Sequence, residues 1–296
     1  MFDLRYHVAS LAAVFIALVL GIVVGVGLSE SGVTKQAELQ VAQDRLAQAN
    51  AELERLRTGQ LREYKGTRDA FGSAYPFLMD RRLAGKRIAV LFVGPIDGGV
   101  RDAIARTLAD ADATGSGAPM RLLALKVPVD DAELDQTLAD AGPDFVQYVG
   151  SEQLRALGRA LAAEFVDGGE TPLWELLAGK LVEQRSGAFK QPVDGLVVVR
   201  TVEPQKGATA RLLSGLVSGV AAQGVPAVAV EETDAEQSAV ETFGSRGLST
   251  VDDVDLSTGR VALALLLAGA PPGRYGVKET AADGVLPPVE PLVPEQ

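Results

Sequence analysis

The chain has 296 residues, 47% hydrophobic and 23% charged, which is room for one or two globular domains and excludes general disorder. Its net charge of −11 argues against a nucleic acid as partner. The absence of cysteine excludes disulfides, thiolate nucleophiles and Cys-based metal sites.

The charge is unevenly spread. Residues 1–35 balance, 36–86 hold nine basic against seven acidic side chains, and 87–296 hold 17 against 30. From Val8 to Leu28, 21 residues carry no charge, and Ser10 is their one polar side chain. At 1.5 Å per residue such a helix spans roughly 30 Å, the thickness of a hydrocarbon core. A secretory hydrophobic region is shorter, about 7–15 residues, and Gly25-Val26-Gly27 is a poor cleavage site. Residues 1–35 therefore read as a retained membrane anchor rather than a cleaved leader. Within it Gly21 and Gly25 form a GxxxG pair, the spacing that lets two membrane helices approach closely.

Residues 36–86 read as a coiled-coil stalk. Leu39, Leu46 and Leu53 recur at seven, Ala42, Ala49 and Leu56 follow each by three, and Arg45, Glu52 and Arg57 flank them. An amphipathic helix packed on its own domain gives the same pattern. The coil is favoured because the segment continues a GxxxG helix, so a homodimer joined through anchor and stalk is expected. Gly59 and Gly66 interrupt the pattern, Tyr64, Phe71, Tyr75 and Phe77 form an aromatic collar, and Pro76 and Gly85 end the run.

From residue 87 to 270 strand and helix patterns alternate. Strands are expected at 87–93, 121–127, 194–202, 225–232 and 248–251, and helices at 99–111, 151–167, 172–186, 207–223, 234–244 and 256–269. Residues 144–150 fit either type, and Asp130 is a plausible helix cap. Apolar strands alternating with helices predict a Rossmann-like or flavodoxin-like α/β domain with a mostly parallel sheet. Residues 271–296 read as an extended Pro-rich tail.

Few catalytic signatures are present. The GPIDGG loop at 94–99 stands where a dinucleotide fold holds its phosphates, but it lacks GxGxxG spacing and reads as a tight turn. No GxxxxGK[ST] or GxSxG sequence occurs, and the one histidine, His7, lies beside the apolar run, away from any domain triad. Two acidic clusters, Glu231, Glu232 and Asp234, and Asp252, Asp253 and Asp255, follow strand carboxyl ends. They would suit a hard cation such as Mg²⁺ or Ca²⁺. The alternative is helix capping, with Thr233 to Glu236 as a capping box and Asp255 before an apolar helix. No enzyme and no bound cofactor are expected.

The opening MFDLRYHVASLAAVFIALVLGIVVGVGL, the LSTVDDVDLSTGRVALALLLAG run at 248–269 and RYGVKETAADGVLP at 274–287 resemble the actinobacterial MctB-like copper transporter family. The resemblance covers nearly the whole chain. It implies an envelope protein with one amino-terminal span, its amino terminus inside and its α/β domain outside the cytoplasmic membrane. It also implies copper efflux or homeostasis, with an outer-membrane pore proposed in the family. For other relatives it implies regulation of cell separation through a partner controlling a peptidoglycan hydrolase. Copper(I) favours thiolate, thioether and imidazole, whereas this chain offers no Cys, one His and Met1, Met79 and Met120. The residues thus favour a dimeric membrane-anchored scaffold presenting a surface to an envelope protein partner. The first alternative is a regulator of cell separation or peptidoglycan hydrolase activity acting through a coiled-coil partner, and a cation- or nucleotide-binding α/β domain is the second.

Overall fold

The computed structural model describes residues 4–26, 32–113, 119–235 and 238–289, with side chains in the first two helices described at 10–23, 40, 42, 43 and from 45 on. The surroundings of Gly25, the Leu39 side chain, Glu236 and residues 290–296 lie outside that description. Two compact units divide the chain, Met1–Ala70 and Phe71–Gln296.

In the first unit, helix α1 spans Leu4–Val26 and is followed by α2, Gly32–Met79, whose last turns belong to the second unit. Every described side chain of α1 is exposed, among them Leu11, Val14, Phe15, Ile16, Leu20 and Val23. No helix is long and apolar enough to cross a membrane among the described residues. Helix α2 runs through Gly59 and Gly66 without a break and carries Pro76 close to its end. Gly59 and Gly66 cost helix propensity only, about 1 kcal/mol each, and the ladder of backbone bonds tolerates them.

In the second unit the order is β1 (Ile88–Val93), α3 (Gly98–Asp110), β2 (Arg121–Leu125), α4 (Asp131–Asp140), α5 (Pro143–Val146) and α6 (Leu154–Asp167). Then come α7 (Pro172–Leu176), α8 (Ala178–Leu181), β3 (Val182–Gly187), β4 (Gly195–Arg200), α9 (Gly207–Ala221) and β5 (Ala227–Val230). The chain continues with α10 (Val240–Gly244), β6 (Ser249–Val251), α11 (Ser257–Ala268) and β7 (Arg274–Tyr275). The seven strands form one sheet ordered β3-β2-β1-β4-β5-β6-β7. All pairings are parallel except β2 with β3. Leaving β3 aside, the five longer parallel strands follow the 2-1-3-4-5 order of flavodoxin-like sheets, with the switch point between β1 and β4.

Each central strand is buried on both faces, so its apolar run is continuous. Along β1, Ala89, Leu91 and Val93 join the core under α4, α6 and α9, while Ile88, Val90 and Phe92 join the core under α3 and α11. The second core also receives Met79, with Phe71, Tyr75 and Leu78 packed against it from the end of α2. Helices α6 and α9 meet at backbone distance: a Cβ on Gly158 would collide with the Leu212 carbonyl, and one on Gly215 with that of Arg155. Gly215 and Gly219 are thus a GxxxG used inside the domain, whereas Gly21 has nothing within 4 Å.

Three expectations need correction. Residues 172–186 are two short helical turns and then β3, whose exposed, polar edge carries no apolar alternation to announce a strand. The helix predicted at 234–244 is described as helix only from Val240, as α10, and Thr233 and Asp234 form a turn in which Thr233 is bonded to the loop after β6. The segment from Pro271 is not merely an extended tail: Arg274 and Tyr275 pair with Thr250 and Val251, and Tyr275 is buried.

Candidate functional site at the carboxyl edge of the sheet

The switch point places one cleft, of about 450 Å³, above the carboxyl ends of β1, β4 and β5. Crevices of this kind are where open α/β sheets bind ligands. Its lining includes Asp97, Arg200, Thr201, Glu203, Glu231, Glu232 and Asp234. The loop after β1 is a tight turn into α3, tied to the β4 loop by the Thr201 hydroxyl donating to the Pro95 carbonyl at 2.6 Å. Asp97 is the N-cap of α3 and accepts from the Val100 N–H at 3.0 Å.

A phosphate would sit at that helix start, and two carboxylates already hold the position. Beside Asp97, the Glu232 carboxylate lies over Gly99, its Oε1 2.5 Å from where a Cβ would stand. Burial raises the pKa of Glu232, and the charges of Asp97, Asp255 and Asp234 raise it further. Arg200, also in the lining, donates its Nη2 to the Ser238 carbonyl at 2.9 Å; burial lowers its pKa and the charge of Glu231 raises it. With Asp97 and Glu232 at this helix start, the position disfavours a further anion.

Four members of the two acidic clusters, Glu231, Asp252, Asp253 and Asp255, have protein partners. Glu231 is buried; its Oε1 accepts from Lys278 Nζ at 2.8 Å and its Oε2 from the Ala239 N–H at 2.7 Å. Lys278 Nζ also donates to the Glu232 carbonyl at 2.8 Å. Asp252, fully buried, accepts from the N–H groups of Val277 at 2.8 Å and Lys278 at 3.3 Å and from the Thr280 hydroxyl at 3.3 Å. Glu231 and Asp252 are therefore the anchor points of a carboxyl-terminal strap, residues 276–284, across the edge of β5 and β6.

Asp255 does not cap α11, whose N-cap is Leu256; its Oδ1 accepts from the Thr233 N–H at 2.7 Å and hydroxyl at 3.0 Å. That bond joins the loops after β5 and β6 and replaces the expected capping box. Asp253 accepts from the Thr258 hydroxyl at 2.6 Å through Oδ2, while Oδ1 is buried without a partner. Burial pushes its pKa up to about 6. Among the described residues no group of three or more His, Asp or Glu is arranged to hold a metal ion. Thioethers are no better placed: Met79 lies in the core on one face of the sheet, and Met120 packs against the core on the other. Met1 and the His7 imidazole lie outside the described residues.

The sequence reading missed Arg121, which is fully buried. It donates to the Phe165 carbonyl at 2.7 Å and to that of Gln191, with its guanidinium 5.8 and 5.4 Å from the rings of Phe165 and Phe189. Burial lowers its pKa to about 10. A lone Arg opening an apolar strand was the available signal.

The class defined by these features is an α/β domain of flavodoxin-like strand order, with an acidic, strap-covered carboxyl edge, preceded by a unit of two long helices. The chain belongs to the family described as copper transport outer membrane protein, MctB, which it matches over residues 1–287. No curated protein matches the sequence.

Proposed function

We propose that this protein is a non-enzymatic, membrane-anchored scaffold of copper handling in the cell envelope, working as a homodimer joined through anchor and stalk. The copper role rests on family membership. The scaffold role is supported by the exposed apolar surface of α1. A helix apolar on every face, with none of its described side chains covered by protein, needs another apolar phase around it. The uncharged run from Val8 to Leu28 supplies the length that a bilayer requires.

The α/β domain then serves as the body presented to an envelope protein partner, and copper is cargo of the assembly rather than a resident ion. One helix per chain without a polar stripe does not line an aqueous pore, so transport by this chain requires other proteins.

Membrane fractions washed at alkaline pH test the anchor. The full chain stays in the pellet, and Leu18→Arg with Ile22→Arg moves it to the supernatant, since each Arg at mid-span costs about 3 kcal/mol. Release of the unaltered chain by the wash contradicts the reading.

A further inference from the structure

We infer that residues 39–56 pair with the same residues of a second copy as a parallel, in-register two-stranded coil that ends before Phe71. The inference deepens the scaffold reading and rests on it for the shared direction of the two chains. Leu46, Leu53 and Leu56 are 45%, 63% and 60% exposed on α2, so three large apolar groups on one seam lack a partner in their own chain.

The flanking charges say what covers them. With Leu46 and Leu53 at position a and Ala49 and Leu56 at d, Glu52 takes position g and Arg57 the following e. In a parallel coil a g residue faces the e residue five positions on in the partner, so Glu52 meets Arg57 of the second copy twice, once on each side of the seam. A shift by one heptad removes both pairs.

The far end of the coil is set by the domain. Phe71, Tyr75 and Leu78 pack against their own core, so this part of α2 is not available to a second helix. Three heptads containing two alanines form a marginal coil alone. Two chains confined to one membrane gain the effective concentration that closes it.

Because the chain has no cysteine, introduced thiols report the pairing directly. Full-length Ala49→Cys, Leu56→Cys and Ala51→Cys variants in membranes are treated with a mild oxidant. Positions 49 and 56 lie in the seam and 51 on its outer side. Same-position disulfides at 49 and 56 should exceed that at 51 by at least about fivefold, because seam positions face each other in a parallel coil. Adding Glu52→Lys should cut the Ala49→Cys yield severalfold, and adding Arg57→Glu as well should restore it.

Equal yields at 49 and 51, a disulfide at only one of 49 and 56, or no rescue by the charge swap would each overturn the proposal. Loss of crosslinking from chain that survives the alkaline wash removes the coil and leaves the anchor standing. Crosslinked chain that the wash releases removes the anchor and leaves the coil.

Discussion

Replacing Lys278 by Met should destabilise the domain more than removing both members of its ion pair. The Lys278 ammonium bonds the Glu231 carboxylate and the Glu232 carbonyl, each at 2.8 Å, and Glu231 is only 5% exposed. Stripping one partner from a buried pair costs about 3–5 kcal/mol, because the remaining charge keeps its desolvation penalty. Glu231 retains the Ala239 N–H, which puts the cost near the lower end, about 3 kcal/mol. For a domain of this size that is a fall in Tm of about 6–12 °C. In Glu231→Gln/Lys278→Met the charge is gone and the amide oxygen still accepts from Ala239, leaving a loss of about 1 kcal/mol. Urea unfolding of the full chain in detergent, followed by near-ultraviolet circular dichroism, measures both. A single variant no less stable than the double would refute the strap's role as counter-charge to the sheet edge.

Further predictions follow from the same geometry. Asp253 has its pKa raised to about 6 from 3.8, so the folded state holds this proton more tightly and its penalty grows as pH rises from about 4 to 6. Asp253→Asn should therefore gain on the order of 2 kcal/mol over the unaltered chain at pH 7.5 and lose that advantage by pH 4, read from paired unfolding curves. Arg121→Lys should lose about 2 kcal/mol, since one ammonium cannot span the Phe165 and Gln191 carbonyls and is more strongly hydrated. Gly158→Ala should lower Tm by several degrees by forcing α6 from α9. Millimolar ATP or NADH should leave Tm unchanged, because Asp97 and Glu232 occupy the anion position; a rise in Tm would refute the electrostatic reading of the cleft.

The central sheet was legible because strands buried on both faces, such as Ile88–Val93 and Gly195–Arg200, are unbroken apolar runs. Strand β3 was not, since an exposed edge selects for polar residues and Val182–Gly187 has only Val182 to bury. The acidic clusters show a different limit. Spacing placed Glu231 and Asp252 correctly after their strands, yet their partners are Lys278, 47 residues on, and the Val277 N–H, 25 residues on. Local pattern offers a cap or a cation for carboxylates whose protein partners are remote in sequence. The signal for Arg121 was a single charge, whose burial depends on carbonyls 44 and 70 residues away.

Cell-associated copper during copper challenge, in a deletion strain of the native host, tests the scaffold's role most directly. The account predicts a rise that is reversed by the full chain and not by one carrying the Leu18→Arg and Ile22→Arg changes. Copper unchanged by the deletion, or restored equally by the chain released from the membrane, would contradict it.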